Sequence, residues 1–402
     1  MPYRPFIVPR NIYYGPGSLE ALTGIQGERI LIVTDPVVSA LGLVKQVEKI
    51  LHSRQAKTLV FDQVEPDPSN NTVWSIFSQA RDFQPDLFIG LGGGSSIDAG
   101  KGAWALYEHP DLADLSLADV QKELPGRELR QKARYVAIPT TSGTGSEVTR
   151  VAVVTDHNIE PHLKVSWFSP HLVPDIAIAD PELASSMPPE VTANTGFDAL
   201  VHAVECYVLS EPSELVDSLA LGATVAVWSW LPEAVSDGKN ILARDKMHLA
   251  SLQAGMAFSN AMLWLVHVPA HELGSSFGFA HGRACAFLLC SAFASVYSSY
   301  ETRLSSLATS LGIIGENNKE KVTGFLDGLD QLKQKIGIPL AIKDTGLKEA
   351  IFQDQLGIII NRCVDNIGNR AAANPKWIKA ISSVEMRKIL MHAWNGTRAE
   401  LS

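Results

Sequence analysis

Apolar residues in the first half of the chain come in short β-branched runs separated by amphipathic stretches. Residues 30–34, Ile-Leu-Ile-Val-Thr, read as a strand buried on both faces that stops at Asp35-Pro36. An amphipathic stretch through Val44, Val47 and Ile50 follows. Residues 58–61, 86–91 and 135–138 repeat the strand pattern, the second running straight into glycines and the third ending at Pro139. Strands that are apolar throughout and alternate with helices predict a parallel sheet covered on both faces. Residues 151–154 and 163–166 are expected to pair across the polar Asp156-His157-Asn158 turn. Residues 176–179 close this half.

After about Met187 helical periodicity dominates and β-branched runs thin out. Residues 190–209, 215–231, 241–263, 285–311 and 319–336 all read as helices. No fixed-period repeat, low-complexity tract or flexible linker interrupts them, and Pro188-Pro189 marks the change. The expected fold is an α/β domain over residues 1–187, with a Rossmann-like parallel sheet, followed by an all-α domain over residues 188–402.

The chain has 402 residues, comfortable for two domains, and 46% apolar residues, enough for two cores. A net charge of -9 without a long basic run argues against nucleic acid or an anionic membrane as partner. No run of about 18 uncharged apolar residues reads as a membrane span. Residues 1–5, Met-Pro-Tyr-Arg-Pro, lack the apolar core of a signal peptide. Cys206, Cys285, Cys290 and Cys363 form no CxxC pair, which suggests reduced thiols in a cytoplasmic protein.

Asp198 and His202 stand four apart on a predicted helix and so point the same way. His267 follows in His267-Val268-Pro269-Ala270-His271, and His281 in Ala280-His281-Gly282-Arg283. One carboxylate and three imidazoles suit a divalent metal of intermediate softness. His271 is either a core histidine or a group able to relay a proton.

Gly92-Gly93-Gly94-Ser95 follows a predicted strand and precedes a helix. Such a loop lets backbone amides approach a pyrophosphate, or it is a tight structural turn. The spacing is not GxGxxG. A second cluster, residues 140–144, also follows a strand and offers hydroxyls and flexible backbone. Asp35 at the end of the first strand suits an adenine-ribose diol and equally suits a helix start before Pro36. Asp98 and Lys101 are either turned toward the ligand or solvated helix residues.

Taken in order, several segments resemble the iron-containing (group III) alcohol dehydrogenases. They are Tyr14-Gly15-Pro16-Gly17-Ser18-Leu19, the glycine loop through Lys101, Pro139 to Thr149, Asp180-Pro181-Glu182-Leu183, the metal segments, and Asn374-Pro375-Lys376 before a last helix. The resemblance implies a dehydroquinate synthase-like NAD-binding half. It makes Asp198, His202, His267 and His281 the ligands of Fe2+, with Zn2+ the alternative, and sets His271 near the nicotinamide. It assigns Gly93, Gly94, Ser95, Asp98, Thr140, Thr141 and Thr144 to the cofactor and Asp35 to its ribose, favouring NAD(H) over the 2′-phosphorylated form. The implied activity is interconversion of a small aldehyde and its primary alcohol, by a homodimer or higher homo-oligomer. The rival within the same architecture is a dehydroquinate synthase-like lyase; a non-catalytic nucleotide-binding protein is the third reading.

Three positions depart from that pattern. Arg150 follows Thr149, Arg283 follows His281-Gly282, and Cys285 takes the place of a usual Asn. Arg150 and Arg283 suggest an aldehyde with an anionic tail, such as sulfoacetaldehyde, and each also suits a surface salt bridge. Neutral aldehydes of the lactaldehyde, propanediol or butanol type are the alternative. Phe258, Trp264 and Phe277 are candidate walls of a substrate pocket or plain core.

Overall fold

The structure is a computed structural model that describes residues 5–160 and 162–401. The extreme N-terminus, read above for a signal peptide, lies mostly outside the described residues. Strands β1 (Asn11–Tyr14), β2 (Arg29–Val33), β3 (Lys57–Phe61), β4 (Leu87–Gly92), β5 (Arg134–Pro139) and β8 (Ile176–Ala179) form one sheet in the order β1-β8-β5-β4-β2-β3. Every pairing in it is parallel. Strands β6 (Val151–Asp156) and β7 (Leu163–Phe168) form a separate antiparallel ribbon, with Val151 opposite Phe168.

The continuous apolar runs have a plain cause. Successive strand residues point to opposite faces, and both faces are covered. Leu31, Val33, Phe88 and Tyr135 join one core with Val73, Ile97 and Trp104. Ile30, Ile32, Ile89 and Val136 join the other with Leu22, Val44 and Val47. Strand β1 escaped the sequence reading because Asn-Ile-Tyr-Tyr is mostly exposed at the sheet edge and carries no apolar run. Around the sheet lie α1 (Pro36–Ala40), α2 (Leu43–His52), α3 (Asn70–Phe83), α4 (Gly94–Glu108) and α5 (Leu117–Glu123).

The chain forms two compact units. One comprises residues 1–187 and 239–259, the other residues 188–238 and 260–402. The helical half runs through α6 (Pro189–Leu209), α7 (Glu214–Ser236), α8 (Ile241–Ser259), α9 (His267–Phe277), α10 (His281–Ser295), α11 (Tyr297–Ser310), α12 (Asn318–Lys335), α13 (Glu349–Ala373) and α14 (Ser383–Asn395). Helix α8, expected with the helical half, belongs to the first unit. It presses Gly255 on Gly145, where an added Cβ would stand 2.9 Å from the Gly145 Cα. Its fully buried Arg244 donates to the Met187 carbonyl at 3.0 Å. The expected helix over 285–311 is two helices, parted where Val296 leaves helical geometry (φ -113°, ψ 10°). Helix α7 is long and apolar enough to cross a bilayer by length and composition, but Glu214, Asp217 and Glu233 interrupt any long uncharged run, and a bundle helix meets the same measure.

Candidate metal centre and nucleotide loops

Three helices of the second unit bring the candidate ligands together. Asp198 and His202 lie one turn apart on α6, while His267 and His281 are the first residues of α9 and α10. The Asp198 Oδ1 atom stands 3.9 Å from His202 Nε2, 3.8 Å from His267 Nε2 and 3.7 Å from His281 Nε2. His202 and His267 stack with ring centroids 4.6 Å apart. His271, one turn along α9, sets its ring edge-on to His281 at 4.8 Å. Pro269 fits inside α9 because it falls in the first turn, where its missing N–H would have had no intrahelical acceptor. Gly282 lets α10 reach α6: a Cβ there would stand 1.9 Å from the Asn194 carbonyl oxygen, one turn before Asp198. Asp198, His202 and His267 are buried, whereas the His281 side chain is 27% exposed, so the cluster opens on one side.

A residue that sequence reasoning missed orients the cluster. Glu205 is fully buried on α6, and its Oε2 stands 2.6 Å from His267 Nδ1. Its Oε1 accepts from the backbone amides of Trp264 and Val266. The carboxylate therefore holds a proton on Nδ1 and turns Nε2, as a lone-pair donor, toward Asp198. Its signal lay in the spacing: Glu205 follows Asp198 by two helical turns and so shares its face.

In the first unit, the two loops after β4 and β5 meet. A Cβ on Gly94 would stand 2.9 Å from Thr144 Cγ2, and one on Gly93 3.5 Å from Thr141 Cγ2. Gly93 caps α4, whose first amides face outward with the positive end of the helix dipole. The Thr140 amide donates to the Gly92 carbonyl. Ser95 Oγ accepts from the Asp67 amide at 3.2 Å. Asp35 is beside this loop: its Oδ2 accepts from Ser96 Oγ at 3.1 Å, and its Oδ1 caps α1 through the amides of Val37 and Val38. Asp35 is thus a helix cap placed next to the glycines.

Asp98 and Lys101 support the second loop from beneath. The Lys101 ammonium is fully buried and donates to the carbonyls of Ser146 (2.6 Å), Thr149 (2.8 Å) and Val151 (2.9 Å). Asp98 accepts from Ser146 Oγ and from the Val153 amide. Burial pulls Lys101 down to about 8 despite the opposing charges of Asp98 and Glu147. Burial likewise pushes the neighbouring Glu147 up to about 7. Neither is the solvated helix or loop residue its charge suggests.

Residues 9–181 match the profile described as iron-containing alcohol dehydrogenase, and residues 192–393 match that of the C-terminal part of the Fe-containing alcohol dehydrogenase family. The chain belongs to the iron-containing alcohol dehydrogenase family. It is an oxidoreductase of the alcohol dehydrogenase kind. It is 36% identical to an NADPH-dependent butanol dehydrogenase of Clostridium saccharobutylicum over 98% of this chain and 99% of that one. It is also 36% identical to the bifunctional aldehyde-alcohol dehydrogenase of Escherichia coli over 97% of this chain, but spans only 46% of that longer protein. Among solved structures, sulfoacetaldehyde reductase from Bifidobacterium kashiwanohense, in complex with NAD+, superimposes with a TM-score of 0.82 at 27% identity, over 98% of this chain and 99% of that one.

The site fits the metal in the family's description. Donors that share one cation at about 2.0–2.2 Å stand roughly 3–4 Å apart, as Asp198 Oδ1 does from each imidazole. His267 Nε2 is buried and makes no hydrogen bond among the described residues. The candidate substrate residues are divided. Arg150 and Phe258 belong to the first unit, Trp264 and Arg283 to the second. The Arg150 guanidinium lies over the Phe168 ring at 4.5 Å, whereas Arg283 donates to Glu190 at 2.6 Å. Trp264 is fully buried, and the Phe277 ring lies tilted against that of Phe352 with centroids 5.8 Å apart.

Proposed function

We propose that this alcohol dehydrogenase transfers hydride reversibly between NAD(H) and a small aldehyde or its primary alcohol. The observation that carries the proposal is the cluster of Asp198, His202, His267 and His281, oriented by Glu205. These four residues would hold the metal, iron first and zinc as alternative. A divalent cation bound there would supply Lewis acidity toward the alcohol or aldehyde oxygen, lowering the demand for a strong general base. His271, beside His281, holds and relays the proton that the oxygen gains or loses. In the first unit the amides of Gly93, Gly94 and Ser95 face the pyrophosphate, with Thr140, Thr141 and Thr144 closing around the cofactor. Asp98 serves the cofactor through Ser146 and the loop. Asp35 accepts from the ribose diol and repels a 2′-phosphate, which favours NAD(H), although one relative is described as NADPH-dependent. Buried cysteines without a disulfide among the described residues suit a cytoplasmic protein. We also infer a homo-oligomer, tested by sedimentation.

The substrate is a short aldehyde, and the anionic class is favoured by one feature. Arg150 is half-buried and makes no ion pair among the described residues, so its charge is unspent. Arg283 already pairs with Glu190, which weakens its part in binding substrate. The deciding comparison is kcat/KM for sulfoacetaldehyde and propionaldehyde in the wild type and in Arg150→Ala. A selective loss of about ten- to hundredfold on the anionic substrate supports the anionic reading. A wild-type preference for propionaldehyde leaves a reductase of neutral aldehydes. No NADH consumption with any aldehyde after iron loading would overturn the dehydrogenase reading itself.

A further inference from the structure

Cys285 is the residue in the metal segments that departs from the expected pattern, and the fold does not leave it aside. It lies one turn after His281 on α10, so both side chains share a face. It is fully buried, with its Sγ 3.7 Å from His281 Nε2. One ligand atom each from Asp198, His267, His281 and Cys285 lie within 4.8 Å of one another. That group contains the sulfur and omits His202. His267 belongs to the same group, and its buried Nε2, 3.8 Å from Asp198 Oδ1, makes no hydrogen bond among the described residues.

We propose that Cys285 is a ligand of the metal, giving a centre of carboxylate, imidazole and thiolate donors. This rests on the metal reading above and extends it. Coordination would release the thiol proton to solvent, with no change in oxidation state. A sulfur donor biases the site toward zinc, iron(II) and cobalt(II) and against harder cations such as manganese. A thiol that merely packs against an imidazole would have none of these effects.

The test is X-ray absorption of the zinc-loaded full chain, with metal content measured alongside. The wild type should hold one zinc per chain with a sulfur neighbour at about 2.3 Å. Cys285→Ser should keep the metal and lose that neighbour. Its zinc-over-manganese preference should fall by about tenfold or more. The cobalt(II)-loaded wild type should show a near-ultraviolet sulfur-to-metal band that the variant lacks. One zinc per chain with only nitrogen and oxygen neighbours would overturn the role of Cys285 and leave the metal site intact. Failure of the wild type to bind any divalent metal would overturn both. A sulfur neighbour that persists in Cys285→Ser would assign it to another residue and overturn this one. The wild-type spectra decide the question even if the variant does not fold.

Discussion

The second unit works with side-chain atoms. Three helices aim one carboxylate and three imidazoles at a common point, and Glu205 turns His267 to meet it. The first unit works with backbone. Its glycines and threonines shape a loop pair at strand ends, and the charged groups beneath, Lys101 and Asp98, tie the chain at Ser146 and Thr149 to the Val151 carbonyl and Val153 amide of β6. A side-chain site can be lost by deleting one atom and leave the fold standing. A backbone site fails when its support fails, so function and stability fall together. That contrast can be broken at several positions.

The largest effect is expected at His267. His267→Ala should release the metal and cut aldehyde-dependent NADH oxidation by about a thousandfold or more, since a lost ligand exceeds the 10–100-fold typical of an outer partner. NADH binding, followed by its fluorescence, should be unchanged. Parallel loss of NADH binding would show that the two regions are not separable.

Lys101→Met is the counterpart in the first unit. It leaves the two buried carbonyls of Ser146 and Thr149 and the partly buried one of Val151 without their ammonium donor, and destabilisation of about 3 kcal/mol is expected. Urea unfolding should show it, together with a raised KM for NADH and an undiminished metal content. Loss of metal in this variant would contradict the division of labour.

Glu205→Gln sharpens the comparison within the metal centre. The backbone amides of Trp264 and Val266 keep an acceptor, but the strong bond to His267 Nδ1 weakens. Metal affinity should drop about ten- to hundredfold by competition with a chelator, with little change in thermal midpoint. An unchanged affinity would make Glu205 a purely structural carboxylate.

Glu147 gives the loop a pH signature. Its folded value, about 7, lies above the ordinary 4.5 because of burial. The folded state therefore binds this proton more tightly than the unfolded chain. Stability should fall as pH rises from 4.5 to about 7, by up to about 1.4 kcal/mol per pH unit from this group. Glu147→Gln should flatten that part of the profile, and an identical slope in the variant would assign it to other groups.

The smallest effect is expected at Asp35. Asp35→Ser keeps a cap for α1 but removes a charge beside the glycine loop. The preference for NADH over NADPH should narrow about three- to tenfold, consistent with a partly solvated charge. An unchanged ratio would leave Asp35 as the cap alone.

Much of this was legible in the chain. Buried parallel strands announce themselves because both faces demand apolar residues, and residues 176–179 were placed to the residue. The ligand candidates were legible because Asp198 and His202 share a helix face and His267 and His281 stand in short, distinctive segments. Strand β1 was not, because an exposed edge demands no apolar side chains. The membership of α8 was not, because helical periodicity tells which face is buried and never against what.

Local sequence, then, determined the elements, the glycine loops and the donor types, since these follow from backbone preferences and side-chain chemistry within a few residues. Tertiary structure alone decided which donors converge. Glu205 became the partner of His267, Cys285 came within reach of the ligand cluster, and Lys101 became a buried clamp. Each of these roles is a distance between segments far apart in the chain, and such distances are set by how helices and strands pack.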